Sequence, residues 1–123
     1  MTGIHDGSRI RLYVADAGGG VYVAAGHYQS GWSAWTSVSE GATLPGAPVS
    51  ATVRNDRVHV FLADRVGGVY TSVSRTTGPA GMWQNVSEGA TTPGGFVTAV
   101  TTSDGVTAFV ADPGGGIFAR LIS

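Results

Sequence analysis

Apolar and polar residues alternate along short stretches of this chain, and the alternation returns three times. Ile10, Leu12 and Val14 alternate with Arg9, Arg11 and Tyr13; Val58, Val60 and Leu62 with Arg57, His59 and Phe61; Val106, Ala108 and Val110 with Gly105, Thr107 and Phe109. Strict period-two alternation over about seven residues predicts a β-strand. One side of each strand is aliphatic and the other carries Tyr13, Phe61 or Phe109, so these strands should lie in sheets covered on both faces. On that reading Ile10, Leu12, Val14, Val58, Val60, Leu62, Val106 and Val110 are buried. Each strand ends at Ala-Asp and runs into glycines at Gly18-Gly19-Gly20, Gly67-Gly68 or Gly114-Gly115-Gly116. There Gly supplies positive φ and Asp bonds its own backbone, the chemistry of a short hairpin turn. No segment carries a helical period with caps. Strands are expected near 10–15, 21–24, 32–38, 48–53, 57–63, 69–73, 82–86, 96–101, 106–111 and 117–121.

The strands belong to a repeat. Val38-Ser39-Glu40-Gly41-Ala42-Thr43-Leu44-Pro45-Gly46 returns as Val86-Ser87-Glu88-Gly89-Ala90-Thr91-Thr92-Pro93-Gly94, 48 residues later and identical at eight of nine positions. The same offset aligns Asp16, Asp64 and Asp112, then Gly20, Gly68 and Gly116, without a gap. Four short strands in a unit of roughly 40–50 residues make a propeller blade, which cannot bury both faces alone. The chain reads as all-β, built of β-propeller blades of four antiparallel strands. The divisions fall at about 1–48, 49–96 and an incomplete 97–123 that lacks its fourth strand. Three blades leave two uncovered faces, and rings of about four to eight blades are the usual closure. The expectation is a homodimer forming a six-bladed ring, completed by oligomerisation.

Composition narrows the chemistry. The 123 residues contain no cysteine, which removes disulfides and thiolate metal sites. All seven basic residues are arginines scattered from Arg9 to Arg120, and net charge is −1; nucleic-acid binding needs a dense basic patch. No apolar run is long enough for a membrane helix. Met1-Thr2-Gly3-Ile4-His5-Asp6 has neither a basic nor an apolar region of a signal peptide. The expectation is cytoplasmic residence or export by a non-classical route.

The units resemble those of bacterial propeller lectins of the PLL type. The resemblance lies in Gly31-Trp32-Ser33-Ala34-Trp35-Thr36-Ser37-Val38, in Pro45-Gly46-Ala47-Pro48-Val49-Ser50-Ala51, and in Val58-His59-Val60-Phe61-Leu62-Ala63-Asp64 with Gly68-Val69-Tyr70. It covers the chain at the level of the blade. It implies a multivalent carbohydrate-binding protein for fucose-type or related glycans, with sites in clefts between blades. The chain departs from that family in having three blades where a whole ring is expected.

Candidate ligand-binding residues follow from chemistry a sugar can use. Trp32, Trp35 and Trp83 offer faces on which an apolar C–H surface stacks. Glu40 and Glu88, the only glutamates, can accept bonds from hydroxyls. Against this, Trp35 and Trp83 recur at the 48-residue offset as packing residues do, whereas Trp32 does not recur; the glutamates can equally hold their own loops. Asp16, Asp64 and Asp112 sit beside turn glycines and read as structural. His5, His27 and His59 occupy unrelated template positions, so no metal site is expected. No nucleophile elbow or phosphate loop is present. A non-enzymatic lectin without cofactor is therefore expected; the alternative is a structural or protein-interaction propeller module.

Overall fold

The computed structural model describes residues 1–39, 43–76, 81–87 and 91–122. Among them every regular element is a strand, and all pairings are antiparallel. The first sheet holds β1 (Thr2–His5), β2 (Ile10–Ala15), β3 (Val21–His27), β4 (Gly31–Trp32) and β5 (Thr36–Ser39). The second runs β6 (Ser50–Arg54), β7 (Arg57–Ala63), β8 (Val69–Arg75), β9 (Trp83–Ser87), and the third β10 (Val97–Thr102), β11 (Gly105–Ala111), β12 (Ile117–Ile122). β1, β6 and β10 lie side by side, as inner strands of neighbouring blades do. The two Thr hydroxyls of Thr52 and Thr101 meet at 2.8 Å across that seam.

The expected strand over 32–38 is two pieces. Ser33 interrupts it: its N–H donates to the Ala25 carbonyl and its hydroxyl accepts from the Ala25 N–H. β5 then pairs with β3 through a bulge that skips Val38, and β9 pairs with β8 through the same bulge, skipping Val86. A bulged residue leaves the ladder and turns its backbone to other partners.

The sheets stack in sequence order. The face of the first sheet bearing Tyr13, Ala15 and Val21 packs on Val58, Val60 and Leu62 of the second. The opposite face of the second, with Phe61, Ala63 and Val69, packs on Val106, Ala108 and Val110 of the third. Both faces of β7 are thus buried, as the alternation required. The first sheet corrects the expectation. Ile10, Leu12 and Val14 are only partly buried, and Arg11, Tyr13 and Ala15 are the buried set. The aliphatic side of β2 points away from the second sheet, and nothing among the described residues covers it.

The repeated loop holds each joint. Thr43 donates its N–H to Gly19 O at 3.0 Å and its hydroxyl to Ala63 O of the next sheet at 2.6 Å. Thr91 does the same with Gly67 O at 3.1 Å and Ala111 O at 2.8 Å. Asp16 and Asp64 accept from the turn glycines through Oδ1 and from Gly46 or Gly94 through their carbonyls. A side chain at Gly67 would run into the Thr91 carbonyl, and φ there is 87°. Gly67→Ala is expected to lose about 2 kcal/mol, whereas Gly31→Ala, at φ 84° with open space around it, should lose about 1 kcal/mol. Urea denaturation of both variants compares the two losses.

Candidate functional site

A cleft of about 510 Å³ lies in the joint between the first two sheets. Its floor is apolar: Tyr13 and Val23 from the first sheet, Val60 from the second. Hydroxyls line its walls, Ser33, Thr36 and Ser37 on one side and Ser72, Ser74 and Thr76 on the other. They face one another because antiparallel partners share a face, and Val60, Ser72 and Trp83 are successive partners across β7, β8 and β9. Val38, the bulged residue, also lines the cleft.

Arg9 and Arg11 close one end. Arg11 is buried, with its Nε donating to Asp6 Oδ2 at 2.7 Å and its Nη2 to the Thr76 carbonyl of the second sheet. Burial opposes ionisation of Asp6. Hydrogen bonds from the Arg9 N–H, the Arg11 guanidinium and Ser8 outweigh that cost and hold its carboxyl well below the usual carboxylate range. Burial also weakens the Arg11 charge, but Asp6 and Tyr13 together more than restore it. Tyr13 is pushed up by burial. The described lining carries no carboxylate, and among the described residues no three His, Asp or Glu side chains group as a metal site. The cleft presents hydroxyls, a guanidinium and an apolar floor, a surface suited to a polyhydroxylated molecule with one apolar side.

The expected site residues part company. Trp83 packs on the core of the first joint, and its Nε1 is buried with no hydrogen-bond partner. Trp35, its counterpart one repeat earlier, is 48% exposed. Trp32 is equally exposed and lies over Gly26, where a side chain would come 2.9 Å from the indole. The three tryptophans therefore do not form one site. Glu40 and Glu88 lie outside the described residues. Arg11, Asp6 and the six hydroxyl residues were not singled out from the sequence.

The second joint is built differently. His59 stands where Arg11 stands in the first; it is buried, its Nδ1 has no partner, and burial, with Arg57 and Arg54 nearby, lowers its pKa. A separate hollow of about 630 Å³ on the uncovered side of the third sheet is walled by Phe96, Phe109 and Ile117.

No protein-family model matches the chain, and no curated protein matches it. Among solved structures it is similar to the BP39L lectin from Burkholderia pseudomallei, with a TM-score of 0.87 and 21% sequence identity over 96% of this chain and 36% of that one. The likeness establishes the all-β, propeller-like fold, and the chain spans about a third of the length of that protein.

Proposed function

We propose that the chain is a carbohydrate-binding protein, a lectin without catalytic activity, and that a fucose-type or related glycan sits in the cleft of the first joint. The observation that carries this reading is the cleft itself, walled by hydroxyls, closed at one end by Arg9 and Arg11 and floored by Tyr13, Val23 and Val60. Sugar hydroxyls can exchange hydrogen bonds with the serine and threonine walls, and the apolar floor suits a sugar C–H face. The fold shared with a protein described as a lectin supports the class of ligand. Trp32, Trp35, Trp83, Glu40 and Glu88 belong to the same proposal as ligand-binding residues of a multivalent protein with sites in clefts between blades. A glycan array followed by titration with methyl α-fucoside tests it. Thr36→Val deletes one wall hydroxyl and keeps the side-chain shape, so affinity should fall about tenfold while the melting temperature changes little. An array without any glycan bound would overturn the reading.

A second element of the proposal is assembly. The three sheets are blades with divisions near 48 and 96, and two copies close one six-bladed ring, third blade against first. It is favoured by the uncovered side of the third sheet, where Phe96 is 78% and Ile117 79% exposed. That side is equivalent to the Phe61 side that the second sheet buries, and the bare Leu12 side of the first sheet is its natural counterpart. Sedimentation should give a dimer, and Ile117→Asp a monomer.

A further inference from the structure

The two joints within the chain follow one template, and they differ at His59 in place of Arg11, Thr71 in place of Val23 and Arg120 in place of Ser72. The floor of the first cleft has Val23, and the second has Thr71 at the same template position. The bulged residue is Val38 in one and Val86 in the other. Across from it stands Ser72 in the first joint and Arg120 in the second, again 48 residues apart. Ser72 is too short to cross, and its hydroxyl donates to Gly81 O of its own sheet at 2.7 Å. Arg120 does cross: its Nη1 donates to the Val86 carbonyl of the neighbouring sheet. Behind it the floor is sealed. Thr71 is 1% exposed, Phe61 is fully buried, and the Thr71 hydroxyl and His59 Nδ1 are left unpartnered. The first floor stays open at partly exposed Val23.

We propose that Arg120 is a gate that occludes the second cleft, making the first joint the open glycan site of the pair. The gating rests on the carbohydrate reading for its meaning, but not for its geometry. The guanidinium takes the bulge carbonyl that a ligand hydroxyl would otherwise approach. To enter, a ligand must displace a charge-assisted hydrogen bond, which weakens binding by about tenfold or more. Arg120 is thus a specificity-determining residue that acts by exclusion.

The chain contains no cysteine, so single introduced thiols report each cleft without a ligand. Val23→Cys and Thr71→Cys are each reacted with a small methanethiosulfonate reagent, in the parent chain and with Arg120→Ser or Arg120→Gln. Val23→Cys should react about tenfold or more faster than Thr71→Cys, because a shielded thiol waits for local opening. Either Arg120 variant should bring Thr71→Cys to within a few-fold of Val23→Cys, with circular dichroism unchanged. Equal rates in the parent, or no acceleration in folded variants, would overturn the gate. In a second arm, calorimetric titration with methyl α-fucoside should gain one further site per chain on Arg120→Ser. Binding without that gain overturns the gate and leaves the carbohydrate reading standing. No binding in either chain counts against the fucose-type ligand, and the thiol rates then decide the gate alone.

Discussion

Val60→Asp is expected to yield no soluble folded chain. Val60 is 3% exposed, on the face of β7 that packs against Tyr13 of the first sheet. The side chains packed around it are apolar or aromatic, and Arg11, which shares the cleft lining with Val60, is already bound to Asp6 and to the Thr76 carbonyl. An unpaired charge in such a place costs several kcal/mol, on the order of the whole stability of a small domain, about 5 kcal/mol or more. Val60→Ala removes only two methyl groups and should cost about 2 kcal/mol. The informative comparison is Leu12→Asp, the same template position on the uncovered side of the first sheet. It should fold with a circular-dichroism spectrum like that of the parent chain and, if the proposed ring forms, stay monomeric. Soluble yield and circular dichroism of the three variants check the set; a well-folded Val60→Asp would mean that the first two sheets do not pack as described.

That comparison also marks how far the sequence could be read. Alternation and the 48-residue offset located most strands of the three sheets, because side-chain period and turn glycines are local properties, but β1 (Thr2–His5) was not among the expected strands. They could not say which side of β2 meets a neighbour. In β7 both sides are covered and either guess succeeds; at Ile10, Leu12 and Val14 the guess fails. The broken strand at Ser33 was invisible because a Ser that bonds strand backbone looks like any polar residue. The repeated loop was legible as important, but its role emerges only from Thr43 and Thr91 reaching across to the next sheet.

The candidate site was less legible for a related reason. Reading by template favours what recurs, and the site's distinctive residues do not recur. Arg11 becomes His59 and Thr107, and Asp6 becomes Arg54 and Thr102. A usable signal was there: an arginine on a strand position that is otherwise buried, five residues from an aspartate across a hairpin. Ser72 against Arg120 is the same kind of signal, a template position where one copy changes size and charge.

The Arg11–Asp6 pair yields the second large effect. Asp6 has a side chain 1% exposed and Arg11 one 10% exposed, so truncating Arg11 strands a buried carboxylate. It also removes the Nη2 bond to Thr76 that ties the first sheet to the second. Arg11→Ala is expected to cost about 3 kcal/mol, at the lower end for a broken buried pair, because Ser8 and Arg9 N–H groups still reach Asp6 at 3.0 and 2.8 Å. Removing both partners should cost less than the sum of the single losses, since the double variant buries no lone charge. The pH dependence has a definite sign. The folded state holds the Asp6 pKa below its unfolded value, so the folded chain binds fewer protons than the unfolded one in acid. The stabilisation is present above about pH 4 and is lost as pH falls toward the folded value. Asp6→Asn should remove that slope, leaving a stability curve flatter in acid than that of the parent chain. Urea midpoints from pH 7 down to pH 3 measure both effects. Parallel curves for the two chains would show that Asp6 is no more stabilised in the fold than in water, and that the end of the cleft is held by packing rather than by charge.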